Sequence, residues 1–373
     1  MAVPVTGLVG AGGSQHVDLQ GTSIPNRKGI PMAIDMTSFA TPLTRLLGCR
    51  YPVISAGMGG PARAELAAAV SLAGGFGLLG MVRESPELIS REIAAVRAAT
   101  DQPFGVNLIP SATDPALLAA ELDVCLAARV PAVCFFWDVV PDAVARAKDA
   151  GVLVLYQVGS LEGALAAEQA GADVVIAQGI EAGGHVRGRT GILTLLPEIV
   201  RHVRVPVVAS GGFATGAGLV AALALGAAGI HCGTLFLATH ESFAHDYHKQ
   251  RILAAQAGDT VYTDLFAINW PPHSPVRVLA NSVTGKAGNN LLGHHPDRLP
   301  CDVIACDDGR PIYRFSTDSP LRSTAGDLEQ MALYAGESAA LVDQVSSAAE
   351  VIERLLNEAK DASSRIASLC LHT

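Results

Sequence analysis

Aromatic residues make up only 5% of this 373-residue chain and charged residues only 16%. Set against 50% hydrophobic residues, so little charge excludes a disordered chain and allows a large core. No uninterrupted apolar run reaches the roughly 18 residues of a membrane span. The N-terminus lacks a basic segment followed by an apolar core, so no secretory signal is expected. Positive charge is not in surplus either. A net charge of −9 argues against nucleic acid or an anionic membrane as the main partner, although a local basic patch could still hold a phosphate. The seven cysteines (Cys49, Cys125, Cys134, Cys232, Cys301, Cys306 and Cys370) are odd in number and contain no C-x-x-C. They point to a reducing compartment with mostly buried thiols, and the cytoplasm is the expected location.

What the chain does have is Ala, Val, Leu and Gly, a mix suited to parallel strands buried on both faces. Short apolar runs recur: PVISAG (52–57), GFGLLG (75–80), FGVNLI (104–109), AVCFFW (132–137), VLVLYQV (152–158), DVVIAQG (173–179), PVVASGG (206–212) and GIHCGTLFLA (229–238). Ala-rich helical segments lie between most of them, several starting near Pro, Asp, Thr or Ser and stopping at Gly. Eight such alternations predict an α/β fold of the (β/α)8 TIM-barrel type over 38–258, with an open doubly wound sheet as the competitor. Residues 1–37 are expected to be a loose extension. An irregular segment over 259–325 is expected to cover one mouth of the barrel. Helices over 326–360 should pack back on its outside, ahead of a tail at 361–373.

Functional groups of a barrel sit where its strands end. Here those places hold Gly57-Met58-Gly59-Gly60, Asn107, Gln157, Gln178, Ser210-Gly211-Gly212 and His231-Cys232-Gly233-Thr234. The ring is uncharged and rich in amides and glycine, which suits a planar heterocycle. The glycines after strands seven and eight, with the Thr234 hydroxyl and the N-terminus of the following helix, predict a phosphate cradle. The loop AQGIEAGGHVRGRTG (177–191) places Gly183, Gly184 and His185 at the mouth. A neutral imidazole there is a natural base for a carbon acid, and Glu181 is expected to orient the loop or meet a neighbouring helix. Phe136, Trp137 and Asp138 could line a substrate cavity, though core packing explains the aromatics about as well. A metal alternative, His240, His245 and His248 in an H-x4-H-x2-H spacing, lacks a recognised set of further zinc ligands, and a solvated helix face is the expectation. Cys301 and Cys306 are too far apart for a redox pair of the usual spacing.

The stretches AQGIEAGGHVRG, PVVASGGFATG, ALALGAAGIHCGTLFLATHES and GDLEQMALYAGES resemble the nitronate monooxygenases, formerly called 2-nitropropane dioxygenases, over roughly residues 40 to 360. The sister flavin-dependent enoyl-acyl carrier protein reductases share these signatures. The resemblance implies an FMN-binding barrel enzyme. FMN contacts are implied at Asn107, Gln178, Gly183, Gly212, His231, Cys232, Gly233 and Thr234, with Met58 beside the flavin and His185 as catalytic base. Gln157 and Gly211 join this set from the reading of the strand ends. Leu235 stands where many relatives have Arg, and "HVRG" is one residue longer than the commoner form. These departures bear on substrate identity more than on flavin binding. The expected reaction is oxidation of alkyl nitronates, and of nitroalkanes after proton removal by His185, by O2 to a carbonyl compound and nitrite. The alternatives are a flavin-dependent NAD(P)H enoyl-thioester reductase, a non-redox barrel acting on a phosphorylated substrate, and a flavin binder without turnover. The expected partners are a small molecule and O2, with no nucleic acid and no membrane; a homodimer is left open.

Overall fold

Eight strands, each short and almost wholly buried, carry the architecture of the computed structural model, which describes residues 39–370. They are β1 (Val53–Ser55), β2 (Gly77–Gly80), β3 (Phe104–Leu108), β4 (Ala132–Phe136), β5 (Leu153–Val158), β6 (Val174–Gln178), β8 (Val207–Ser210) and β9 (Gly229–Cys232). The two-residue β7 (Gly184–His185) lies outside the barrel wall. All neighbours in the order β1-β9-β8-β6-β5-β4-β3-β2 pair in parallel, and the ring closes through a parallel bridge between Ile54 and Phe76. All eight expected strands are present, and closure rather than an open sheet decides in favour of the TIM barrel.

Side-chain alternation sorts each strand between two cores. Ile54, Leu78, Cys134, Leu155, Ile176 and Val208 share an inner cluster with Leu43 and Leu47 of the helix Pro42–Leu47. The Thr41 hydroxyl donates to the Ala228 carbonyl just ahead of β9, which puts that helix at the N-terminal end of the barrel. Val53, Leu79, Val106, Val133, Val154, Val175 and Ala209 face the surrounding helices.

The helix Ala348–Cys370 lies on the outside. Its buried Ala348, Val351, Ile352, Leu355, Ala359 and Ala362 recur at helical spacing and pack against the helices Gly216–Ala224 and Ala64–Leu72. Each of the larger side chains contributes about 1.5–3 kcal/mol on burial. Gly216 is needed there, because a Cβ would come within 2.1 Å of the Leu355 carbonyl oxygen.

Several expectations are corrected. The run 229–238 is not one strand: β9 stops at Cys232 and Thr234–Leu237 is a helical turn. A fully buried apolar run carries no periodicity to separate the two states. Residues 259–325 are only partly irregular. They supply β10 (Thr260–Thr263) and β11 (Val276–Leu279), which form an antiparallel sheet with β7, and β12 (Val303–Asp307), β13 (Arg310–Tyr313) and β14 (Thr324–Gly326), which form another. The helix expected from 326 begins only at Ala348. Residues 331–335 are held extended by long-range pairing, with the Leu279 amide donating to Leu333 and Val278 bridged to Tyr334. The helix then runs on through the expected tail to Cys370. The expected extension 1–37, and residues 371–373, lie outside the described residues. Cys49, Cys125, Cys134 and Cys232 are buried as expected, whereas Cys301 and Cys306 are exposed.

Candidate active site

The C-terminal ends of the strands open into a cavity of about 390 Å³. Met58, Asn107, Gln157, Gln178, Gly183, His185, Gly211, Gly212, His231, Cys232, Gly233 and Thr234, scattered over 177 positions of sequence, all line it. The strand-end residues among them carry no charge at neutral pH, whereas Arg63, Arg83, Glu84, Asp307, Arg310 and Asp318 also line the cavity. Burial pulls the His231 imidazole down to about 4 and pushes the Cys232 thiol up to about 12. His231 is tied through Nδ1 to the Ser210 hydroxyl at 2.9 Å. Asn107 donates through Nδ2 to the Gly57 carbonyl at 3.1 Å, and a Cβ on Gly57 would meet the Asn107 Cβ at 2.3 Å.

One side of the cavity is lined by backbone. Gly211 and Gly212 take φ of 99° and 82°, a region a side chain disfavours, so the turn after β8 calls for glycine at both positions. Among the described residues the amides of Gly212, Gly233 and Thr234 make no hydrogen bond. The Thr234 hydroxyl accepts from the Gly336 amide at 2.9 Å. One expected contributor is missing. The first amide of the helix Gly216–Ala224 donates to the Glu358 carboxylate at 2.7 Å, so the C-terminal helix already occupies that helix start with an anion.

The loop between β6 and β7 is built around its glycines. A Cβ on Gly183 would lie 2.4 Å from the Gly336 nitrogen, so only glycine lets segment 335–336 pass. The Glu181 carboxylate accepts from the Ile192 amide at 3.0 Å, at the start of the helix Ile192–His202, as its expected orienting part required. Arg277 donates through Nε and Nη2 to the Ile180 carbonyl and pairs with Glu337 at 3.2 Å. Gln178 donates through Nε2 to the His185 carbonyl at 2.9 Å and accepts through Oε1 from the Arg187 amide at 3.1 Å. His185 also pairs with Val276 of β11, so its backbone is held from two sides.

The imidazole of His185 sits in an aromatic stack. It lies on Trp270 with ring centroids 3.7 Å apart and planes 18° from parallel, and edge-on to Trp137 at 6.1 Å. The Arg83 guanidinium covers Trp270 at 4.8 Å, and that of Arg187 covers Trp137 at 5.3 Å. His185 Nε2 is buried without a hydrogen-bond partner. Burial, then the positive charge of Arg83, pulls the imidazole down to about 3, so it is neutral throughout the physiological range. Phe136 lines the cavity and Trp137 supports His185, whereas the Asp138 carboxylate points to Arg187 at 2.8 Å on the exposed side.

Tyr334, within GDLEQMALYAGES, lines the cavity too, as do Trp270, Arg63 and Arg83, whose own stretches of sequence carried no signal. The three histidines of the metal alternative are not gathered. His245 Nδ1 accepts from the Tyr247 amide, while His248 is fully buried, not on a solvated face, and bonds the Tyr334 carbonyl at 3.0 Å. Among the described residues no cluster of three or more His, Cys, Asp or Glu could hold a metal.

Residues 40–358 match the family description "Nitronate monooxygenase". The chain belongs to the nitronate monooxygenase family. It is 31% identical over 372 residues to a probable nitronate monooxygenase of Staphylococcus saprophyticus, covering 87% of this chain and 99% of that one. Among solved structures it is similar to FabK from Thermotoga maritima, with a TM-score of 0.76 at 31% identity, covering 88% of this chain and 99% of that one. It is also similar to the nitroalkane oxidase of Streptomyces ansochromogenes, with a TM-score of 0.71 at 30% identity, covering 87% of this chain and 100% of that one. As a member of the nitronate monooxygenase family, the chain is a flavin-dependent oxidoreductase. The residues present fit such a cofactor: three unpartnered amides suit an anionic tail, and uncharged, amide-bearing strand ends suit a planar ring. No described helix is long and apolar enough to cross a membrane.

Proposed function

We propose that this member of the nitronate monooxygenase family oxidises alkyl nitronates with O2, giving a carbonyl compound and nitrite, and that its flavin is FMN. The single observation that carries the reading is a neutral imidazole, His185, fixed at the rim of a cavity whose strand-end residues are uncharged and which also presents the free amides of Gly212, Gly233 and Thr234. Those amides and the Thr234 hydroxyl would hold the phosphate. Met58, Asn107, Gln157, Gln178, Gly183, Gly211, His231 and Cys232 would shape the bed of the ring, with Gln178 acting by clamping the His185 loop. When bound, the flavin supplies the redox chemistry between the substrate carbon and dioxygen.

His185 would be the base for neutral nitroalkanes. An imidazole lowered to about 3 takes a proton reluctantly. An already ionised nitronate needs no such step, and a neutral imidazole can approach it without a counter-charge. Nitronates are therefore the favoured substrates and nitroalkanes the slower ones.

The test begins with the spectrum of the purified protein and chromatography of the released flavin, followed by oxygen uptake and nitrite release. His185→Asn is expected to slow ethylnitronate less than tenfold and nitroethane by about 10²–10⁴. Equal loss on both would remove the base assignment. The second reading, an NAD(P)H-dependent enoyl-thioester reductase, rests on the shared sequence signatures. Rapid bleaching of the flavin by NADPH without oxygen, with no nitrite formed from nitronates, would favour it.

A further inference from the structure

Side-chain alternation decides what forms the floor of the cavity. On β8 and β9, Val208 belongs to the inner cluster of the barrel and Ile230 to the outer one, so Ser210 and His231 both point inward, one layer above the apolar core. They are register partners on adjacent strands, both are buried, and both line the cavity. Ser210 Oγ lies 2.9 Å from His231 Nδ1, and neither side chain makes another hydrogen bond among the described residues. His231 Nε2 has no partner in the protein yet is not sealed off, so it opens onto the cavity.

The Ser210–His231 bond has two protons to place. Burial keeps the imidazole neutral, so the ring carries a single N–H. With that proton on Nδ1, the ring would donate to Ser210 Oγ, and the hydroxyl proton would have no acceptor in the protein. With the hydroxyl donating to Nδ1, one bond satisfies both groups, and the ring proton sits on Nε2, facing the cavity. Other polar groups of the floor are already committed. Gln178 spends both amide atoms on the His185 loop, and Asn107 donates to the Gly57 carbonyl, whereas Gln157 and His231 keep an uncommitted nitrogen.

We infer that Ser210 is a positioning residue: its hydroxyl fixes His231 in the Nε2–H form, and the barrel floor thereby presents a neutral hydrogen-bond donor that favours the reduced state of the bound flavin. A flavin gains electron density on reduction, so a donor aimed at its ring stabilises the reduced form more than the oxidised one. A neutral donor does this without burying a cation. The inference rests on the flavin dependence of the family and not on the nitronate reaction, so the two can fail separately.

The test uses the flavin-loaded full chain and two readings that need no substrate. The first is proton–nitrogen correlation NMR of protein labelled at histidine, with the His231 signal identified by its absence in His231→Gln. The native ring is expected in one neutral form protonated on Nε2, and Ser210→Ala is expected to give a mixture of both neutral forms. The second is the midpoint potential of the flavin. Ser210→Ala should weaken the preference for reduced flavin about tenfold, a fall of about 30 mV for a two-electron couple. Ser210→Thr, which keeps the hydroxyl, should hold both readings at their native values, and the visible flavin spectrum shows that each variant is folded. A native ring protonated on Nδ1 overturns the inference, as does a potential unmoved in Ser210→Ala or one that falls while the His231 form stays the same. Should Ser210→Ala not fold, the native ring form and the potential of His231→Leu, expected to fall at least as far, decide the matter. If both readings come out as expected while no nitronate is oxidised, the Ser210–His231 pair stands and the nitronate reading falls.

Discussion

Replacing Trp270 with leucine tests the stack on which the neutral imidazole rests. In the native protein one face of His185 is covered by Trp270 at 3.7 Å, and the ring is lowered from 6.5 to about 3. Leucine would uncover part of that face and release Arg83 from its place above the indole. Both changes favour the protonated form, because water returns to the ring and the cation loses its seat. If only a third of the lowering is lost, the imidazole rises by about one unit, or about 1.4 kcal/mol. The assay is a pH titration of imidazole resonances in histidine-labelled protein, with the His185 signal identified by its absence in His185→Asn. The native signal should not titrate above pH 5, and the Trp270→Leu signal should titrate at least one unit higher than native. Stability follows with a fixed sign. A histidine whose folded value lies below its unfolded one loses stability as pH falls from about 6.5 toward about 3, so the variant should be less sensitive to acid than the native protein. A native resonance that titrates near 6.5, or one unmoved by the substitution, would refute the argument that the stack holds the imidazole neutral.

Two other substitutions test the frame around the site. Gly183→Ala would drive a Cβ to 2.4 Å from the Gly336 nitrogen and 2.5 Å from the Ala335 carbonyl carbon. Backbone must separate there, at about 1–3 kcal/mol, so a lower melting temperature and weakened flavin retention are expected. Glu121 is fully buried, and burial raises its carboxyl from 4.5 to about 7 against the opposing pull of the Glu84 and Arg83 backbone. A raised folded value means that the native state holds the proton longer, so stability should fall as pH rises from 4.5 through 7. Glu121→Gln should flatten that fall in urea melts at pH 5 and pH 8, and an equal slope in both proteins would show that Glu121 does not titrate there.

The barrel was legible in the sequence because its determinants are local. Each strand is a short apolar run, each helix has its own start and stop, and eight repeats of that unit leave few ways to close. The glycine-rich strand ends were legible for the same reason, since a barrel places function where strands finish. Glu181 could be expected to brace its loop from its place before Gly183, and it does so through the Ile192 amide, eleven residues on.

The surroundings of the imidazole were decided only by the tertiary structure. Arg83, Trp137, His185, Trp270 and Tyr334 come from five separate stretches, and no spacing rule links them. The segment 331–335 shows the same limit. Its apolar residues read as the start of a helix, but pairing with Leu279 and Val278 draws it out along the cavity, where Gly336 meets Gly183. Local pattern determined which elements form, because propensity and capping act over a few residues. What charge state and which neighbours the reactive ring acquires depended on desolvation and stacking, which exist only once distant parts of the chain are packed together.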